Sequence, residues 1–128
     1  MLKMSLPEYI ADNELLLRAV LPKAFFWKEG RLSSAALKDG RGLSVDRTYD
    51  RSIEESVIYM RQNLDGDIVS IKPSDCRKVN AVVRYRPTKN IFHCEIHGSE
   101  EKIVLSPKQA KELALCAEVV YRATITTT

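Results

Sequence analysis

Hydroxyl and charged side chains are concentrated in one stretch of the sequence, GRLSSAALKDGRGLSVDR, which spans residues 30–47. Hydroxyls beside an arginine and a carboxylate can orient a sugar or a phosphate through hydrogen bonds and fixed charge. The alternative is that the serines are turn and helix-cap residues and that Asp46 pairs with a nearby arginine. On the first interpretation the stretch holds six candidate ligand-binding residues: Arg31, Ser33, Ser34, Ser44, Asp46 and Arg47.

A single arginine, Arg18, interrupts the apolar run that extends from Glu14 to Val20. A guanidinium in apolar surroundings loses hydration free energy unless it is paired or reaches water. Arg18 therefore either points outward from an edge strand or binds an anion in a cleft, where a guanidinium matches phosphate in a bidentate way. The aromatic segment PKAFFWKEG that follows either caps the core or forms the wall of a pocket.

The two histidines of the chain, His93 and His97, lie four residues apart with Glu95 between them. On a strand all three share one face, whereas Cys94 is on the other, and the single Cys-x-x-His has no partner pair, so no metal site is expected. Glu95 and His93 are the candidate catalytic residues, Glu95 as a carboxylate and His93 as a hydrogen-bonding group at a cleft rim. The alternative for His93 is a satisfied, partly buried histidine. His97, beside Gly98 at the strand end, is expected to be the more exposed histidine.

Basic residues on a later strand, Arg84 and Arg86 with Lys89 close by, form the best positive stripe. Such a stripe is usually a solvated face, and the alternative is an interface for nucleic acid or a protein partner. The chain has 20 Lys and Arg against 17 Asp and Glu, a net charge of +3. This mild excess permits a nucleic-acid partner without requiring one.

Several function classes have no support in the sequence. P-loop, dinucleotide-binding, nucleophile-elbow and zinc-protease motifs are all absent. The N-terminal segment does not resemble a signal peptide and no apolar stretch is long enough to span a bilayer, so a cytoplasmic location without membrane contact is expected. Three cysteines without a CxxC pair are typical of reduced core residues.

The hydrophobic pattern predicts a single α+β domain over residues 1–128, with a small, mostly antiparallel sheet and two main helices packed against it. Capping boxes mark the starts of both helices, at Ser52 and Ser106, and the first helix is predicted over 52–64 with an apolar stripe that includes Met60 and Leu64. The second helix is expected to bury Val120 and Tyr121, and residues 122–128 to form a frayed tail. The strands are predicted at 14–20, 31–37, 42–47, 67–71, 80–87 and 90–98, with a hairpin joining the second and third.

Alternation along these strands predicts which side chains meet. Asp46 should share a face with Ser44, whereas Arg47 should reach the following helix and pair with Asp50 or Glu54. On this basis a polar cleft is expected on one side of the sheet, surrounded by Arg18, Ser33, Asp46 and His93.

Three segments, LLLRAV, RLSSAALKD…GLSVDR and VVRYRPTKNIFHCEIHG, resemble small bacterial proteins of uncharacterised function. The similarity spans roughly residues 15–98, and it implies no particular activity. It adds Asn90 to the candidate ligand-binding residues. The residues that carry it are Arg18, Ser33, Ser34, Ser44, Asp46, Arg47, Pro87, Asn90 and His93.

A weaker resemblance is to the cores of ADP-ribosyltransferase-like proteins, which pair an arginine on the first strand with a hydroxyl residue on a following strand. The resemblance implies that Arg18 and Ser33 or Ser34 bind an NAD-like molecule, with Arg18 on the phosphate and the serine on the ribose. The resemblance does not itself supply a catalytic glutamate, and Glu95 is nominated here to stabilise an oxocarbenium-like transition state. The expected function is binding of a nucleotide-like, NAD-type ligand, with toxin- or defence-associated transferase or glycohydrolase chemistry as an extension. A non-enzymatic module that binds nucleic acid or protein is the alternative, and no cofactor is assigned.

Overall fold

One six-stranded antiparallel sheet organises the computed structural model, which describes residues 5–88 and 90–123. The predicted α+β fold is confirmed. The strand order is β6-β7-β4-β1-β5-β8, and β2 and β3 form a separate two-stranded ladder. The strands are β1 Leu16–Val20, β2 Trp27–Lys28, β3 Arg31–Leu32, β4 Leu43–Arg47, β5 Asp67–Ile71, β6 Val82–Tyr85, β7 His93–His97 and β8 Glu118–Tyr121. The helices are α1 Ile53–Arg61, α2 Pro73–Lys78 and α3 Pro107–Cys116, with 3-10 helices at Ala24–Phe26 and Ser34–Leu37.

The two faces of the sheet are covered by different helices. On one face, α2, α3 and the second 3-10 helix pack against the largest apolar cluster, to which Leu43, Val45, Cys94 and Ile96 contribute. On the other face, Leu17 of β1 packs with Val57 and Met60 of α1. These alternating positions of β1, β4 and β7 follow the period of two that a strand imposes.

Helix α1 begins as the sequence predicts and ends earlier than 64. Ser52 and Glu55 form a complete capping box, in which each side chain accepts a hydrogen bond from the other residue's backbone N–H. After the helix, Gly66 adopts a φ of 106° and lies directly against the Val20 carbonyl. A Cβ at this position would lie 2.4 Å from that oxygen, so the turn into β5 requires glycine.

The predicted strand over 31–37, and with it the hairpin to β4, is wrong. Only Arg31–Leu32 is extended, and Ser33 caps the 3-10 helix that follows. The Ser33 hydroxyl accepts a hydrogen bond from the Ala35 N–H at 3.2 Å and donates one to the Phe25 carbonyl at 2.6 Å. A serine that satisfies backbone groups in this way favours a helical turn over a strand.

The final helix is also shorter than expected, and Val120 and Tyr121 belong to β8. Adjacent β-branched residues favour a strand, and β8 hydrogen-bonds along the β5 edge. Arg122 and Ala123 then bond to Asp67, with 2.7 Å between the Ala123 nitrogen and Oδ1. The rest of the predicted tail, 124–128, lies outside the described residues.

Across the described ranges 5–88 and 90–123, no helix has the length and apolar character needed to cross a membrane. The three cysteines are free, with Cys76 and Cys94 completely buried and Cys116 exposed. Burial raises the pKa of both Cys76 and Cys94 to about 12.

Candidate functional site

The central pair of strands, β1 and β4, separates along part of its length. The two strands pair only at Leu16 with Arg47 and at Leu17 with Asp46, whereas β1 pairs with β5 along all five of its residues. Residues of both strands beyond this short pairing line a cavity of about 680 Å³. We call it the seam cavity.

The lining of the seam cavity combines polar and apolar side chains. Its volume lies within the range of small-molecule sites, about 300–1,000 Å³. The sequence-predicted residues that line it are Arg18, Ser44, Asp46, Asn90 and His93. The apolar side chains include Leu21, Phe26, Ala36, Met60 and Leu64.

Arg18 makes few hydrogen bonds for an arginine whose side chain is only 21% exposed. Its Nη1 donates to the Ser44 carbonyl at 3.1 Å, and its Nη2 lies 3.9 Å from the Asp39 carboxylate. Its Nε is buried and has no hydrogen-bond partner among residues 5–88 and 90–123. Burial lowers the pKa of Arg18, and the negative charge of Asp39 offsets only part of that effect.

The position of Arg18 differs from the expected one. Along β1 it alternates with Leu17, the residue that pairs with Asp46, so Arg18 and Asp46 start from opposite faces of the sheet. They line the same cavity because the strands separate between them. A continuous β1–β4 ladder would have kept the two side chains apart.

Asp46 is the most deeply placed carboxylate of the cavity, with 8% of its surface exposed, and it lies directly across from His93 on β7. Burial raises the pKa of Asp46, and the neighbouring Arg51, His93 and Asn90 act in the opposite direction. The Asn90 Oδ1 accepts the Phe92 N–H at 2.7 Å, so its amide NH₂ group is the part that can donate to Asp46. A perturbed carboxyl group inside a cavity is typical of a functional site.

Glu95 holds the two histidines together on the same face of β7. Its Oε1 lies 2.8 Å from His97 Nε2 and its Oε2 lies 3.5 Å from His93 Nε2. Burial acts to raise the pKa of Glu95, but the hydrogen bonds from His97 and His93 lower it below the ordinary value. Although His93 lines the seam cavity, Glu95 does not.

The expectation that His97 is exposed is wrong, because His93 and His97 are 4% and 5% exposed. His97 is covered by β6, where Arg84 Nε donates to His97 Nδ1 at 3.2 Å. Since guanidinium nitrogens only donate, this contact assigns the proton of neutral His97 to Nε2, which faces Glu95. Gly42 packs against the same imidazole, and its φ of 99° is a conformation that favours glycine.

Arg47 lies on the opposite face from Asp46, as the alternation predicts, but it does not pair with Asp50 or Glu54. It is fully buried, and its Nε and Nη2 donate to the two Glu14 oxygens at 2.6 and 2.9 Å. Further hydrogen bonds reach the carbonyls of Pro7 and Tyr9. Although burial opposes the charge, the Glu14 carboxylate raises the pKa of Arg47. Arg47 is therefore placed to stabilise the fold rather than to meet a ligand.

The remaining candidates lie outside the seam cavity. Arg31 is exposed on β3, and Ser33 and Ser34 lie at the start of the second 3-10 helix. Arg84 is bound to His97 and also pairs with Glu100, whereas Arg86 is exposed. Lys89 lies outside the described residues.

Sequence reasoning missed most of the apolar wall. Met60 is buried, as its place in the predicted stripe requires, whereas Leu64 is 48% exposed. Both residues line the cavity, as does Tyr59. Phe26 lies in the aromatic segment for which a pocket wall was one of two expectations. Helix α1 ends at Arg61, before Leu64, and no local pattern marks that end.

Within the described ranges, His, Cys, Asp and Glu nowhere form a group of three that could hold a metal ion. No family model, curated protein or solved structure matches this chain at a significant level.

Proposed function

We propose that the seam cavity binds a small nucleotide-like ligand. The observation that carries the proposal is the combination, in one cavity of about 680 Å³, of an incompletely paired arginine, a buried carboxylate and an apolar wall. A nucleotide offers a matching combination, because an anionic phosphate, a polar sugar and a flat base occur in one molecule.

Arg18 is the group proposed to bind the phosphate. Its contact with Asp39 is long at 3.9 Å, and its charge is destabilised by burial. A phosphate would supply short charge-assisted hydrogen bonds in a region of low dielectric, where they are stronger than at the surface. Leu21, Phe26 and Leu64 provide apolar surface against which a base can pack.

The proposal covers binding and assigns no catalytic step. Glu95, the carboxylate expected to stabilise an oxocarbenium-like transition state, is outside the cavity lining and is hydrogen-bonded to both histidines. Transfer or hydrolysis of an NAD-type ligand remains a prediction of the resemblance to ADP-ribosyltransferase-like cores. NAD is therefore included among the probes, with product analysis for nicotinamide release.

The test compares two arginine variants by thermal unfolding and calorimetry with AMP, GMP and NAD. Arg18→Met removes the proposed phosphate contact and the positive charge while keeping an unbranched side chain. Arg86→Met is the matched control, and it also removes one residue of the alternative nucleic-acid or protein interface. A ligand that binds only the native state at 100 times its Kd stabilises that state by about 2.7 kcal/mol, enough to raise the Tm by several degrees.

We expect at least one nucleotide to raise the Tm of the wild-type protein and of Arg86→Met, and to lose most of this effect in Arg18→Met. If no nucleotide raises the wild-type Tm, the proposal is wrong. Binding of oligonucleotides that weakens steeply with salt and is lost in Arg86→Met would instead support the alternative interface.

A further inference from the structure

The acceptor groups at the deep end of the seam cavity restrict the kind of base that fits there. An ionised carboxylate has two oxygens and only accepts hydrogen bonds. Asp46 is 8% exposed, the positive charge of Arg51 lies near its carboxylate, and Asn90 offers it an amide NH₂ group. The carboxylate therefore keeps unused acceptor capacity facing a cavity, where a ligand with N–H groups would restore lost hydration.

The common bases differ in what they present to such a carboxylate. Guanine carries two adjacent donors, the N1–H and the N2 amino group, on its Watson–Crick edge. Adenine and cytosine each place an acceptor nitrogen beside their amino group, and the single N–H of uracil lies between two carbonyls. Only guanine satisfies both oxygens of one carboxylate with parallel hydrogen bonds, the same bidentate geometry that makes arginine–carboxylate pairs strong.

We propose that the seam cavity is selective for guanine nucleotides, with Asp46 accepting hydrogen bonds from the guanine edge and Arg18 binding the phosphate. This inference rests on the proposed function. The two groups lie towards opposite ends of the short β4 strand: Arg18 bonds to the Ser44 carbonyl, and Asp46 lies two residues further along.

The neighbours of Asp46 fix its orientation. His93 lies directly across from it on β7 and is itself bound to Glu95, so the imidazole has little freedom to turn towards a ligand. Asn90 is anchored through its Oδ1 to the Phe92 N–H. The arrangement is preorganised, and a base that lacks the second donor would leave an acceptor unpaired in a buried site.

The first experiment measures the affinity of the wild-type protein for GMP, IMP, AMP, UMP and inorganic phosphate by calorimetry. Because IMP lacks only the N2 amino group, we expect it to bind about tenfold more weakly than GMP, the loss expected for one charged hydrogen bond. AMP, which turns an acceptor towards Asp46, is expected to bind about 100-fold more weakly than GMP. Deoxy-GMP is expected to bind within about threefold of GMP. The proposal assigns no hydrogen bond to the 2′-hydroxyl, and the loss of one hydrogen bond would weaken binding by more than this factor.

The second experiment uses Asp46→Asn, with Asp65→Asn as the matched control for an exposed carboxylate on the same cavity. An asparagine accepts from the xanthine N1–H and donates to its O2. Asp46→Asn should therefore bind GMP at least tenfold more weakly than the wild-type protein does, about the effect of losing one charge-assisted hydrogen bond. The same variant should bind XMP more tightly than the wild-type protein does. Asp65→Asn should retain the preference for GMP.

The outcomes separate this inference from the proposed function. Equal binding of GMP, IMP and AMP that still depends on Arg18 would overturn guanine selectivity and leave nucleotide binding intact. Equal binding of all ribonucleotides with loss of deoxy-GMP would show that Asp46 contacts the ribose, and would also overturn the inference. If no nucleotide binds, both proposals fail. Should Asp46→Asn not fold, the wild-type ligand series decides alone.

Discussion

Arg47 lies where β1 and β4 pair, Arg18 lies where the two strands separate, and the surroundings of the two side chains differ. Arg47 is fully buried, forms a bidentate pair with Glu14, donates to two carbonyls and packs its guanidinium 4.8 Å from the Tyr85 ring centre. Arg18 has one backbone hydrogen bond, a 3.9 Å approach to Asp39 and an Nε without a partner among the described residues.

The difference shows that the hydrogen bonds a buried polar side chain already makes within the protein distinguish a structural group from a candidate ligand-binding group. Where β1 and β4 pair, the buried arginine makes four side-chain hydrogen bonds within the protein and is fully enclosed, so it is not accessible to a ligand. Where the strands separate, Arg18 is desolvated and incompletely paired, so hydrogen bonds to a bound ligand would lower the free energy of its charged form. Burial alone does not separate the two roles, because both side chains are largely removed from water.

The largest expected effect is the difference in stability between variants of Glu14, the partner of Arg47, and Asp39, the partner of Arg18. Glu14→Ala should destabilise the protein by about 3–5 kcal/mol, because it leaves the Arg47 charge buried without compensation. Asp39→Ala removes a half-exposed partner at 3.9 Å and should cost at most about 1 kcal/mol. Urea unfolding of the two variants measures both values, and similar losses would show that the two arginines do not differ in this way.

A smaller effect compares two serines. Ser33 makes two hydrogen bonds as a cap, so Ser33→Ala should cost about 1 kcal/mol and leave ligand binding unchanged. This reverses the expectation from the sequence that Ser33 matters more for binding than for folding. Ser44→Ala, at a cavity position, should change stability by less than about 0.5 kcal/mol. Unfolding and binding measurements on both variants check the comparison, which fails if Ser33→Ala alone weakens binding.

The pH dependence of Asp46→Asn extends the comparison to a carboxylate. Because burial raises the pKa of Asp46, the native state favours the protonated form. The contribution of Asp46 to stability is therefore greatest below its ordinary pKa of 3.8 and declines as the pH rises through the raised value. Asparagine resembles the protonated form at every pH.

The Tm of Asp46→Asn relative to wild type should therefore increase from acid to neutral pH. Differential scanning calorimetry from pH 3 to pH 7, with Asp65→Asn as the exposed control, measures this trend. A difference that is constant, or that shrinks as the pH rises, would indicate that Asp46 is well paired in the native state.

Local patterns predicted part of this arrangement. Alternation correctly grouped Ser44 with Asp46, and His93 with Glu95, because paired strands keep a period of two. The role of Ser33 was missed because SSAAL suits a short strand and a capped turn equally well, and only the Phe25 carbonyl decides between them. The pairing of Arg47 with Glu14, 33 residues away, has no local signal. Neither does the separation of β1 from β4, since it depends on how the helices pack on each face.

Because two cysteines are buried in the core and one is exposed, thiol labelling can measure local unfolding of the core. A thiol reagent reacts with the thiolate, which Cys76 and Cys94 do not form at neutral pH while their pKa stays at about 12. Exposed Cys116 should label at once, and each further label should record a transient loss of the core packing around β7 or α2. Because Cys94 follows His93 directly and points into the core, its labelling rate reports on β7 without any substitution. A ligand that bridges β1 and β4 would slow that rate in proportion to the native population it stabilises.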